Sequence, residues 1–185
     1  MQMYKLLPQL PPVPDEIVNS VDLDRKPTEM EIGYYRTRNL KNWYGKSMDS
    51  LVNIRTRHEA FETWVKDNII DPVIDAGVNY VVYTREDGTQ GSTGAHTDGI
   101  RNFTVIYNIK TGGPNATTCY WQERGQDLVR PPKTQGEDLS QLIYWDGIFI
   151  PERTWCLLDT RVLHSVEHLT STRISFQISL NEHPW

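Results

Sequence analysis

From Asn79 onward the chain breaks into eight short runs rich in β-branched and aromatic residues: about 79–84, 90–96, 102–109, 117–123, 142–149, 154–159, 162–167 and 172–180. Gly-, Pro- and Asp-containing turns such as Thr111-Gly112-Gly113-Pro114 separate them, as expected of strands. So many short strands can bury their apolar faces only by closing into a barrel or stacking as two sheets. The sequence therefore predicts a mainly β fold of the jelly-roll or cupin-like kind.

Alternation within two runs says how those faces are used. Along 173–180, Arg173, Ser175, Gln177 and Ser179 share one side, while Ile174, Phe176, Ile178 and Leu180 share the other. Along 103–109, Thr104, Ile106 and Asn108 oppose Phe103, Val105, Tyr107 and Ile109. A polar face opposite an apolar one usually meets solvent. Here the polar set contains Arg173 and follows two histidines of metal-ligand type, so it reads as a lumen lined for a polar ligand. The apolar sides are then expected to pack on a helix carrying Phe61 and Trp64.

Within those strands His96-Thr97-Asp98 and the distant His164 supply two imidazoles and one carboxylate. Side chains two apart on a strand point the same way, so His96 and Asp98 can close on one ion. Two histidines and one carboxylate suit non-haem Fe(II) with coordination positions left open. His168, four residues after His164, is the rival third ligand. His164 has the apolar neighbours Leu163 and Val166 of a buried strand, so His168 is read as exposed or as supporting a ligand. Arg173 offers a planar fork matched to a carboxylate, and Ser175 stands beside it on the same side. Thr104 and Asn108 are further candidates for hydrogen bonds to the same ligand. No role is attached to Arg101.

The stretches Gly94-Ala95-His96-Thr97-Asp98 and His164-Ser165-Val166-Glu167-His168-Leu169-Thr170-Ser171-Thr172-Arg173-Ile174-Ser175 resemble the 2-oxoglutarate/Fe(II)-dependent dioxygenases, in particular their prolyl-hydroxylase-like branch. That branch also reads H-x-D, then H-x-V, then a basic residue about nine positions on. The resemblance covers roughly residues 79–182. It implies a double-stranded β-helix, Fe(II) on His96, Asp98 and His164, and 2-oxoglutarate held by Arg173 and Ser175. It further implies that decarboxylation of 2-oxoglutarate to succinate and CO2, with O2, is coupled to hydroxylation of a primary substrate. Arginine at 173, where many of that branch use lysine, leaves 2-oxoglutarate as the cosubstrate and does not single out a prolyl substrate. The expected substrate is a peptidyl residue such as proline, a small metabolite or a nucleobase, in that order. Two other readings stay open: a cupin-like metal- or ligand-binding module without oxygenase activity, and a zinc hydrolase.

The 185 residues suit one domain. Residues 1–77 read as a proline-rich arm and helical support, and 78–185 as the β core. Pro8, Pro11, Pro12 and Pro14 favour extended backbone, so the arm is expected to lie over the surface without helix. Glu31–Arg36 reads as an outer strand. Leu51, Ile54, Phe61, Trp64, Val65 and Ile69 recur at helical spacing, which predicts a helix over about 49–70. Residues 124–141, with Gly125, Pro131, Pro132 and Gly136, are expected to form a loop near the lumen's mouth. Tyr83, Tyr120, Trp121, Tyr144 and Trp145 are read as packing. Cys119 and Cys156 read as buried reduced thiols. A net charge of −5 argues against bulk capture of nucleic acid, and no run is long and apolar enough for a membrane span. A cytoplasmic setting is expected.

Overall fold

The computed structural model describes residues 2–38, 51–71, 74–85, 88–136 and 138–184. Strands dominate, in two antiparallel sheets that do not close on each other. The larger runs β1 (Tyr4–Leu6), β7 (Trp155–Asp159), β4 (Phe103–Thr111), β9 (Arg173–Leu180), β3 (Asp75–Tyr83) and β2 (Leu51–Arg57). The smaller runs β6 (Leu142–Ile148), β5 (Thr117–Glu123) and β8 (Leu163–Glu167). Such an arrangement is compatible with a β-sandwich.

Seven of the eight expected runs are strands, within a few residues of the expected bounds. The run at 90–96 is not a regular strand. It still lies along β8: Gly91 and Leu169 exchange both backbone hydrogen bonds, at 2.7 and 3.0 Å, as do His96 and His164, at 3.0 and 2.9 Å. Between these anchors Thr93 Oγ1 accepts from Val166 N at 2.8 Å, and Gly94 takes a positive φ of 71°. Thr93 N still donates to Val166 O at 3.0 Å, so a side-chain acceptor and a left-handed residue interrupt the regular ladder.

The larger sheet separates its side chains as its alternation requires. Phe103, Val105, Tyr107 and Ile109 of β4 join Ile174, Phe176, Ile178 and Leu180 of β9 in the main core. Helix α3 (Glu59–Asn68) covers that face with Phe61 and Val65. The Phe61 and Phe176 rings stack at 4.2 Å, and Trp64 lies parallel to Trp155 at 6.4 Å. Each ring buried here is worth roughly 1.5–3 kcal/mol by area, and a stacked pair adds about 0.5–1.5 kcal/mol.

Three N-terminal expectations are corrected. The helix expected over 49–70 is two elements, β2 and α3; residues 49 and 50 lie outside the described residues. In β2, Val52 and Ile54 point into the core while Asn53 and Arg55 point the other way, a period of two. The helix begins only at His58, whose Nδ1 accepts from Phe61 N at 3.2 Å. The strand expected at 31–36 is part of α2 (Glu29–Arg38). Its start is fixed by a reciprocal cap: Thr28 N donates to Glu31 Oε2 at 2.8 Å, and Glu31 N to Thr28 Oγ1 at 3.2 Å. The proline-rich arm is integral to the fold, since β1 is an edge strand and Leu7 and Val13 are core residues. It also leads into a short helix, α1 (Asp15–Asn19), capped by the Pro14 carbonyl. No helix among the described residues is long and apolar enough to cross a membrane.

Candidate metal centre and anion pocket

Strand register brings the proposed ligands together. His96 and His164 sit directly opposite each other and exchange both backbone hydrogen bonds, which sets their rings on the same side. The ring centroids are 4.7 Å apart. Asp98, two residues on, is anchored by its amide to Thr160 O at 3.1 Å. Its Oδ1 lies 3.7 Å from His96 Nε2 and 4.0 Å from His164 Nε2. One ligand atom from each residue falls within 4.8 Å of the other two.

The chemistry of this donor set fits a divalent metal. The Nδ1 atoms of His96 and His164 lie 2.9 and 3.0 Å from the Gly94 and Val162 carbonyls. Those carbonyls fix the protons there and leave both Nε2 lone pairs facing Asp98. Burial, helped by His96, pushes the His164 pKa down to about 4 against the pull of Asp98, so its imidazole is neutral at pH 7. Burial works against ionising Asp98, but Arg101, His164 and His96 hold its carboxyl down to about 2. Neutral imidazoles and an ionised carboxylate are the forms that ligate.

His168 is not part of this group. β8 ends at Glu167, and His168 has a φ of 61°, which turns its ring outward to lie 2.9 Å from Gln90 Oε1. The loop expected near the mouth is there and braces the ligands. Lys133 N donates to Asp98 O, Thr97 N to Thr134 O, and Gly136 N to Ala95 O, at 3.2, 2.9 and 2.9 Å.

The triad opens onto a cavity of about 100 Å³ between the two sheets, room for a small polar molecule rather than one water. Arg173, Ser175 and Thr104 line it, as the alternation requires. Arg173 is 4% exposed, and burial lowers its pKa to about 10. Its guanidinium has no hydrogen-bond or ion-pair partner among the described residues. The buried hydroxyls of Thr104 and Thr118, also in the lining, are likewise unpartnered. A buried cation beside unused hydroxyls is electrostatically incomplete, and an anion is the group that completes it. The turn holding Arg173 is tight: at Gly112, with a φ of 91°, a Cβ would come within 2.9 Å of the Arg173 Cβ.

Asn108 does not line the cavity. It is fully buried on the same side of β4, but its Nδ2 donates to Ile150 O at 2.7 Å, and the ladder slips between Asn108 and Lys110. None of the five aromatics read as packing lines the cavity either. Tyr120 is core, whereas Tyr144 and Trp145 are 56% and 51% exposed and so are not buried packing. Both cysteines are free and buried.

The residue that sequence reasoning missed is Arg101. Its Nε donates to Asp98 Oδ2 at 2.5 Å, and its Nη1 donates to Ser179 Oγ at 3.0 Å and Gln177 Oε1 at 3.3 Å. The available signal was a cation three residues after a ligand carboxylate, in a segment too short to place it. No family model matches the chain, and no curated protein matches it as a relative.

Proposed function

We propose that the chain is a 2-oxoglutarate- and Fe(II)-dependent dioxygenase that hydroxylates a primary substrate, built on a double-stranded β-helix. One observation carries this reading: a buried Arg173, without a hydrogen-bond or ion-pair partner among the described residues, faces the same cavity as the His96, Asp98 and His164 group. A bare metal-binding module has no use for such a cation. A zinc hydrolase needs a general base, and Asp98 is the only carboxylate lining the cavity among the described residues.

On this reading His96 Nε2, His164 Nε2 and an Asp98 oxygen hold the ion. Bound Fe(II) supplies open coordination positions and oxygen chemistry. Arg173 binds the far carboxylate of the cosubstrate through its fork, and Ser175 and Thr104 add hydroxyl contacts. These contacts fix the diacid along the polar side of β9, with its other end toward the triad. Val81, Ile106, Leu158 and Val166 supply the apolar part of the wall.

Anaerobic addition of Fe(II) and 2-oxoglutarate tests the proposal, because chelation of both gives a visible charge-transfer band. The band should appear in the wild type and be lost in Asp98→Ala, and succinate should form once air and a substrate are supplied. Metal binding with no band and no succinate would favour the binding module. Hydrolysis supported by Zn²⁺ would favour the hydrolase.

A further inference from the structure

We propose that Arg101 is a positioning residue that restricts Asp98 to a single metal-facing oxygen and so keeps coordination positions open. The inference rests on reading His96, Asp98 and His164 as metal ligands. It concerns what stands behind the carboxylate.

The two oxygens of Asp98 have different surroundings. Oδ1 faces the two Nε2 atoms at 3.7 and 4.0 Å, and Oδ2 is engaged by Arg101 Nε at 2.5 Å. An unrestrained carboxylate next to a divalent ion can turn and chelate with both oxygens. Here that turn would break a partly buried, charge-assisted hydrogen bond.

Arg101 is itself fixed at several points. Its side chain is 15% exposed, its backbone carbonyl accepts from Thr160 Oγ1 at 3.1 Å, and its Nη1 is placed by Ser179 and Gln177. Those two acceptors are in turn held by a second arginine. Arg55 Nη1 donates to Gln177 Oε1 at 2.5 Å, and Arg55 Nη2 to Ser179 Oγ at 3.2 Å. Asp75 grips Arg55 through both carboxylate oxygens, at 3.1 and 2.6 Å. The result is an alternating row from the metal site to the β2–β3 edge: Asp98, Arg101, Gln177 with Ser179, Arg55, Asp75. A rigid row of this kind orients a ligand rather than merely balancing its charge.

The test counts water molecules on the metal. Mn(II) alone is added to wild type, Arg101→Met and Arg101→Lys, and water-proton relaxation is measured per bound ion. Three protein ligands leave about three positions of an octahedral ion for water. In Arg101→Met the freed Oδ2 should displace one of these waters, lowering relaxation per ion by about a third. Arg101→Lys should retain the wild-type value, because an ammonium can still donate to Oδ2. Equal relaxation in wild type and Arg101→Met overturns the inference. So does loss of Mn(II) binding in Arg101→Met, since the arginine would then hold the site together rather than limit one ligand. An Arg101→Lys value as low as that of Arg101→Met also overturns it. Failure of the wild type to bind Mn(II) would instead defeat the metal reading itself.

Discussion

Along the polar side of β9 two guanidinium groups, Arg173 buried and Arg101 partly buried, face one cavity, and they are treated in opposite ways. Near Gln177 and Ser179, Arg101 is matched by Asp98 and tied into a row that ends at Asp75. At the other end, four residues or roughly 13 Å along the strand, the buried Arg173 has no hydrogen-bond or ion-pair partner among the described residues. A paired buried cation is part of the architecture, and removing its partner is what harms the fold. An unpaired one raises the free energy of the folded protein, and on the proposed reading an anionic ligand offsets that cost. The two arginines are therefore expected to respond to substitution with opposite signs.

The largest expected effect is at the paired end. Asp98→Ala should abolish metal binding and also leave the partly buried Arg101 without its counter-charge, a loss of ~1.5–3 kcal/mol. Isothermal titration with Mn(II) and denaturant melts read both. A variant as stable as wild type would show that the pair is not a structural element.

Arg173→Met should do the reverse. At pH 7 the folded state carries the full penalty of a desolvated charge, so its removal should raise the stability of the ligand-free protein, by on the order of 2 kcal/mol. The sign follows from a folded-state pKa of about 10, below the ordinary 12.5. The penalty is present at all pH values below about 10 and disappears as pH rises through that value toward 12.5. Melts of the two proteins should therefore converge only in strong alkali. The same variant should bind 2-oxoglutarate roughly ten- to a thousandfold more weakly, the scale of a lost charged contact of ~1.5–4 kcal/mol. Lower stability together with unchanged 2-oxoglutarate binding would erase the contrast between the two ends.

Ser175→Ala probes how far the anion site extends. It should weaken 2-oxoglutarate by one neutral hydrogen bond, ~0.5–1.5 kcal/mol or roughly two- to tenfold, with metal affinity unchanged. His168→Ala should have the smallest effect, with metal binding and succinate formation within about tenfold of wild type. A larger loss at 168 than at His164→Ala would reverse the choice of histidine.

Much of this site was legible because strands have a period of two. The alternation of 173–180 placed Arg173 and Ser175 in the lumen and Phe176 against Phe61, and both placements hold. The choice of His164 over His168 was also legible, through the apolar neighbours of a buried strand. What misled was the N-terminal third. Leu51 and Ile54 happen to continue the helical spacing of Phe61 and Val65, yet Val52, Ile54 and Thr56 carry a strand alternation of their own. The true start, His58, is not a residue type that announces a helix cap. The T-x-x-E pattern at Thr28 and Glu31 did announce one, behind tyrosines that suggested a strand. Asn108 shares the lumen side by parity, but the slip after it and the Ile150 carbonyl are tertiary facts that no local pattern carries. Arg101 is of the same kind, because its partners Gln177 and Ser179 lie on β9.

β9 is the last of the described strands, yet it runs through the interior of the larger sheet, hydrogen-bonded to β3 on one side and β4 on the other. Until residues 173–180 have been synthesised, β3 and β4 have no strand between them, and Phe61 lacks the ring on which it stacks. Each of these strands then presents an unpaired edge of the sort that recruits other chains. A chain cut short before Arg173 is thus not a smaller version of this protein but a sticky one. For the chain that includes β9, yield in a cell depends on whatever shields those two edges until residues 173–180 are made.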